Sequence, residues 1–216
     1  MSEIVAIYPL HKISAEDLEN LHQSVQSYAI LKGDFILASG LTSKYYYDGK
    51  KILLNPRWAW AVGRAFLRPV LDSGAEAVGG RATGAIPVAV VISLAAYLIS
   101  GKELPVFYVR ERPKGHGTRD SFSSAVFQDG KPLLCPGRKV AIVDDVVTTG
   151  GSAQEAVEAV EDLGCKVVFV GAVVERHERG GRTFSERGYP FFRLFYTDED
   201  GQLHVAPEAL AGLQDT

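Results

Sequence analysis

The chain has 216 residues, 46% of them hydrophobic and 23% charged, with a formal net charge of -3. This is enough chain for a sizeable core in one domain, and no basic stripe points to a general nucleic-acid binder. Cys135 and Cys165 are too few and too isolated for a disulfide framework or a CxxC site, which fits reduced thiols in the cytoplasm. No signal peptide is expected, and Ala85 to Ile99 is too short to span a membrane.

Ser14 begins a capping pattern, and Leu18, Leu21, Val25, Tyr28 and Leu31 recur at helical spacing, so the sequence predicts a helix from Ser14 to about Leu31. Phe35-Ile36-Leu37 and Tyr45-Tyr46-Tyr47 are expected to pair as a small antiparallel hood around Ser39-Gly40. Pro56 opens a predicted helix to about Leu71. Ala77-Val78 reads as a brief strand ended by Gly79-Gly80, followed by a buried helix from Ile86 to about Ile99 and a strand from Leu104 to Val109. Arg110 to Ser124 loses periodicity and reads as a loop, and Leu133 to Pro136 is a candidate edge strand.

Val140 to Val143 has the length and β-branching of a buried strand, with Asp144 and Asp145 at its expected end. Thr148, Thr149, Gly150, Gly151 and Ser152 lead into a predicted helix from Ala153 to Leu163. Lys166 to Val174 is almost continuously apolar, as expected of a parallel strand covered on both faces. Glu175 to Arg187 reads as polar loop, Phe191 to Tyr196 as the final strand, and Pro207 to Leu210 as a last helical turn. The alternation predicts an α/β fold with a central parallel sheet flanked by helices. Ligands would then bind beyond the strand ends, where the segments after Gly79, Arg110, Asp144 and Glu175 should converge.

The run KVAIVDDVVTTGGS, Lys139 to Ser152, is laid out as a phosphate site. Glycines allow close backbone approach, and the first N–H groups of the helix point at an anion. Adjacent carboxylates would be disfavoured beside phosphate alone, so they must face sugar hydroxyls or a hard cation. Arg110, Arg112, Lys114, His116 and Arg119 form a dense basic cluster suited to a highly charged leaving group; a solvated loop is the plainer reading. His11, His22 and His204 show no ligand spacing, and His177 shows no evident partner.

The central run resembles the ribose-phosphate signature of the type I phosphoribosyltransferases. The resemblance implies 5-phosphoribosyl-1-pyrophosphate (PRPP) as substrate and magnesium held through it, without a confident direct protein ligand. It places Asp144 and Asp145 on the ribose hydroxyls and Val147, Thr148, Thr149, Gly150, Gly151 and Ser152 around the 5-phosphate. RERPKGHG, from Arg110, resembles the loop of the orotate branch, which implies Lys114 as a catalytic residue acting across a homodimer interface. Glu111 replaces a common Lys there. FILASGLTSKYYYD resembles that branch's N-terminal signature and implies Lys44, Tyr45 and Tyr46 at the base, with Ala38 where many members have Lys. VGGRATGAIP resembles its pyrophosphate-side loop, with Arg81 the nearest cation and Gly84 in place of a Lys. Arg176, after Glu175, falls where the branch recognises the orotate carboxylate, and Thr148 would also border the base. The expectation is one phosphoribosyltransferase domain over 1–216, its hood built mainly from about 1–56 with the C-terminal segment as a candidate contributor. Another nucleobase, or a PRPP-binding regulator, remains as the alternative.

Overall fold

The computed structural model describes residues 13–36, 42–110, 122–124, 132–211 and 213. Helix α1, Ala15–Ser24, starts where Ser14 Oγ accepts from the Asp17 amide at 3.0 Å. It ends earlier than its periodicity suggests. A π-helical turn, Val25–Ala29, carries the chain into strand β1, Ile30–Ile36, because Leu31 is claimed by pairing with Tyr46. Strand β2, Thr42–Tyr47, completes the expected antiparallel pair, with an irregularity between Lys32 and Phe35.

After the short helix α2, Lys50–Leu53, helix α3 runs from Pro56 to Asp72. Its cap, Asn55, accepts from the Arg57 amide at 3.0 Å, and Pro56 occupies the first turn, where no N–H is missed. Helix α4, Ala85–Ser100, follows strand β3, Ala77–Arg81. The two helices approach closely at Gly63, where a Cβ would lie 2.5 Å from the Val91 carbonyl oxygen.

The main sheet has seven strands in the order β5-β4-β3-β6-β7-β8-β9. Strands β3, β4 (Val106–Val109), β6 (Lys139–Val147), β7 (Lys166–Glu175) and β8 (Phe191–Thr197) are parallel. Strands β5 (Phe122–Ser124) and β9 (Leu203–Val205) close the edges antiparallel. Thus the central sheet is parallel as expected, Phe191 to Tyr196 is not the last strand, and the loop after Arg110 ends in strand by Phe122.

Gly79 and Gly80 lie inside β3 rather than ending it. A Cβ on Gly79 would meet the Phe107 carbonyl at 2.2 Å, and one on Gly80 the Val143 carbonyl at 2.1 Å, so the glycines permit tight packing. Leu133 to Pro136 runs through bends into a turn at Pro136, whose nitrogen lacks a ladder donor, although Leu133 itself is buried. Helix α5, Gly151–Asp162, covers one face of the sheet, while α1, α3 and α4 cover the other. Strand β7 is buried on both sides, with Phe169 and Val173 in one core and Val167 and Val170 in the other. The supposed loop from Glu175 to Arg187 contains α6, Gly181–Glu186, anchored by fully buried Phe184. Helix α7, Pro207–Ala211, supplies the expected last turn.

Candidate active site

Because the central strands are parallel, Arg81, Arg110, Asp144 and Arg176 all fall at the same end of the sheet. Strand β6 continues through the acidic pair to buried Val147 before the turn begins. Thr148 is half-buried, while Thr149, Gly151 and Ser152 are exposed. Gly150 takes the left-handed conformation, φ 87°, that turns the chain into α5, and no side chain caps the first amides of that helix. The turn is braced from behind. The Gly180 amide donates to Thr148 O at 2.8 Å, and the Arg176 amide donates to Val147 O at 2.9 Å. This leaves a rigid, open concavity of backbone donors at the positive end of a helix.

Asp144 is 6% exposed, and its Oδ1 accepts from the Asp145 amide at 3.0 Å. Burial, reinforced by the neighbouring Asp145 charge, pushes Asp144 well above the usual carboxylate range. Burial also raises Asp145, against the lowering effects of hydrogen bonds from Asp144 and Val146 and the charge of Lys50. Two glycines make room for the second acid: a Cβ on Gly84 would lie 2.1 Å from Asp145 Oδ1, and one on Gly49 2.5 Å from Oδ2. Such a pair favours a ligand that brings hydroxyl donors or positive charge.

Tyr47 is a neighbour that the sequence reading overlooked. Its ring is buried beside Gly49, and its hydroxyl has no hydrogen-bond partner among the described residues. Burial and then the charges of Asp145, Asp48 and Asp144 hold the phenol well above its ordinary pKa. The alternation of β2 was the available signal, because Ser43, Tyr45 and Tyr47 share its inward face.

Arg176 is buried at the end of β7. Its Nη2 donates to Ser43 Oγ at 3.0 Å and pairs with Glu178 Oε1 at 3.2 Å, and its guanidinium carbon sits 4.7 Å over the Tyr45 ring. Tyr45 is fully buried rather than presented to solvent. His177 is not partnerless: its Nδ1 lies 2.8 Å from the Tyr45 hydroxyl. Lys44 and Tyr46 occupy the other face of β2, where Lys44 pairs with Asp34 at 2.5 Å and Tyr46 packs on Phe35 at 5.6 Å between ring centroids. Thus Ser43, Tyr45 and Arg176 come together, whereas Lys44 and Tyr46 stand apart from them.

Arg81 pairs with Glu155 at 2.5 Å, and its charge also acts on Asp144. The next segment carries a cis peptide between Ala82 and Thr83. Arg110 reaches Ser123 Oγ and lies 5.3 Å from the Tyr108 ring centroid. Arg112, Lys114, His116 and Arg119, with Glu111 and Ala38, lie outside the described residues. Glu175 serves the scaffold, accepting from the Gly181 amide at 2.8 Å and pairing with Arg193. A cavity of about 960 Å³ opens beside Arg176 and His177 along α6 and β8, but the Thr148–Ser152 turn does not line it. The phosphate-type site is instead the shallow turn at the start of α5. Among the described residues no cluster of three or more His, Cys, Asp or Glu side chains could hold a metal by itself, and no helix is long and apolar enough to cross a membrane.

Comparison with known proteins agrees with this layout. A family model described as "Phosphoribosyl transferase domain" matches residues 72–189. The orotate phosphoribosyltransferase of Rhodopirellula baltica is 39% identical over 179 residues, covering 80% of this chain and 88% of the relative. That of Aquifex aeolicus is 38% identical over 165 residues, covering 76% and 85%. The crystal structure of Mycobacterium tuberculosis orotate phosphoribosyltransferase in complex with PRPP superposes with a TM-score of 0.65 at 28% identity, covering 82% of this chain and 94% of that one. The expected fold class is therefore observed, and the chain belongs to the orotate phosphoribosyltransferases of the type I phosphoribosyltransferase family.

Proposed function

We infer that the chain transfers the 5-phosphoribosyl group of PRPP to orotate, giving orotidine 5-phosphate and pyrophosphate. The observation that carries this reading is the juxtaposition of a helix-start anion turn with an acidic pair, buried Asp144 and half-buried Asp145, near the end of β6. A sugar 5-phosphate satisfies both parts. Its phosphate takes the amides and hydroxyls from Thr148 to Ser152, and its diol donates to Asp144 and Asp145. Arg176 is the proposed receptor for the orotate carboxylate, which a planar guanidinium can pair bidentately. Arg81, Arg110, Arg112, Lys114 and His116 are assigned to the pyrophosphate side, with Lys114 as the catalytic loop residue.

Orotate is anionic at neutral pH and needs little activation, so the protein's contribution is placement and charge stabilisation as the bond at ribose C1 breaks. The raised acids fit a magnesium ion held chiefly by the substrate, with Asp144 and Asp145 nearby; such an ion would neutralise charge on the pyrophosphate.

We further propose one phosphoribosyltransferase domain with a β1–β2 hood, working in the cytoplasm as a homodimer that shares loop residues across its interface. The adjacent free thiols Cys135 and Cys165 favour a reducing compartment. An uncharged α4 exposing Val90, Leu94, Tyr97 and Leu98 favours a second copy. Steady-state turnover with orotate, uracil, hypoxanthine and adenine tests the function. Turnover with orotate alone is expected; activity with another base and none with orotate overturns the reading.

A further inference from the structure

Tyr45 joins the hood to the main sheet through contacts distant in sequence. Its hydroxyl lies 2.8 Å from His177 Nδ1, 2.8 Å from Thr197 Oγ1 and 3.4 Å from Arg176 Nε. The ring is clamped as well as bonded, since a Cβ on Gly201 would fall 2.6 Å from Tyr45 Cγ. Arg176 can only donate, so the phenol oxygen must accept from it. With a proton on His177 Nδ1, the same oxygen accepts a second bond, and its own hydrogen is shared between Thr197 Oγ1 and the Asp198 carbonyl oxygen, 3.4 Å away. Every polar capacity of the phenol is then occupied, and a fully buried ring has no face left for a base.

We propose that Tyr45 and His177 are positioning residues for Arg176: through them, strand β2 of the hood fixes the guanidinium plane that receives the carboxylate of the base. This rests on the reading of Arg176 given above. The ring under the guanidinium carbon restrains the plane's tilt, while the bond to Nε restrains its rotation. Ser43, on the same face of β2, holds the far nitrogen Nη2. A shift of the hood would therefore reorient the receptor without touching the anion turn at Thr148.

Steady-state kinetics of Tyr45→Phe, Arg176→Ala and the double variant test this, with melting temperature and PRPP KM as controls. Tyr45→Phe keeps the ring and loses the hydroxyl. Its expected effect is a rise in orotate KM of about 3- to 10-fold, the range for one buried hydrogen bond. PRPP KM and kcat should stay within about twofold, and the rise should vanish in the Arg176→Ala background. His177→Ala should behave likewise, and His177→Asn, whose amide can donate from the Nδ1 position, should restore most of the affinity. If Arg176→Ala raises orotate KM but Tyr45→Phe does not, the positioning role falls and the reading of Arg176 stands. If Arg176→Ala leaves orotate KM unchanged, that reading falls and takes the inference with it. Equal rises for both substrates with a lowered melting temperature, or a Tyr45→Phe effect that persists without Arg176, also overturn the proposal.

Discussion

Gly84 separates the requirements of the site from those of the fold. Its backbone is helical, φ -61° and ψ -40°, so alanine is conformationally acceptable and removes glycine's entropic disadvantage. Yet the new Cβ would sit 2.1 Å from Asp145 Oδ1, 2.9 Å from its Cγ and 3.1 Å from Asp144 Oδ1. The clashing atoms end flexible side chains, so the carboxylate swings away while the sheet stays put. Displacing one acid from the ribose removes a charge-assisted hydrogen bond of about 1.5–3 kcal/mol. At about 1.36 kcal/mol per decade, kcat/KM for PRPP should fall about 10- to 150-fold. The melting temperature should hold or rise slightly, which calorimetry can confirm beside the kinetics. A Gly84→Ala enzyme that folds normally and keeps kcat/KM for PRPP within about twofold would remove Asp145 from the ribose. A lysine at this position would meet the same obstacle at Asp145.

Asp144→Asn should abolish most activity while stabilising the fold. Unfolded Asp144 loses its proton near 3.8, but burial and the Asp145 charge retain it in the fold to well above that value. The folded state therefore binds more protons between those two values, and stability declines as pH rises through that window. Removing this penalty should raise the melting temperature at pH 8 more than at pH 4, by about 2–4 °C per kcal/mol relieved; a lower melting temperature at pH 8 contradicts the electrostatic account. Gly180→Ala places a Cβ 2.4 Å from Thr148 O and 2.5 Å from the Gly150 nitrogen, both backbone atoms, so PRPP KM should rise and thermal stability should fall together. Unchanged PRPP affinity would show that the brace does not shape the turn. Lys114→Ala should lower kcat by about 10²- to 10³-fold, the scale of one lost transition-state donor, with the circular dichroism spectrum intact; wild-type kcat would remove it from the chemistry.

The acidic pair and its turn were legible because local residues dictate them. A β-branched run needs a buried strand, and glycine beside a helix start gives an anion turn. Tyr45 was ambiguous because a triplet of tyrosines supplies aromatic surface to both faces of a strand. What selects Tyr45 for the interior is the space left by Gly201 and the hydroxyl of Thr197, both more than a hundred positions away. His177 acquires its partner across a similar separation. Helix α6 escaped notice because Phe184 alone anchors it, too little for a period. Gly79-Gly80 suggested a turn, whereas the crowding of Phe107 and Val143 puts those glycines within β3. At Tyr45 and at Gly79-Gly80 the deciding requirement is steric and is imposed by another element.

The same buried pair that penalises the fold couples PRPP binding to protons. Ribose hydroxyls donate best to ionised carboxylates, so binding must lower the raised pKa of Asp144 and Asp145 and expel protons wherever the free pair still holds them. Affinity for PRPP should therefore increase with pH over the interval in which stability decreases. Titration calorimetry in buffers of different ionisation enthalpy measures the protons released. Phosphate groups on PRPP titrate too, so the decisive comparison is with Asp144→Asn, where the share released by Asp144 should disappear. Equal proton release from the wild type and that variant would mean that the sugar does not discharge Asp144, which would then be denied the role that its burial implies.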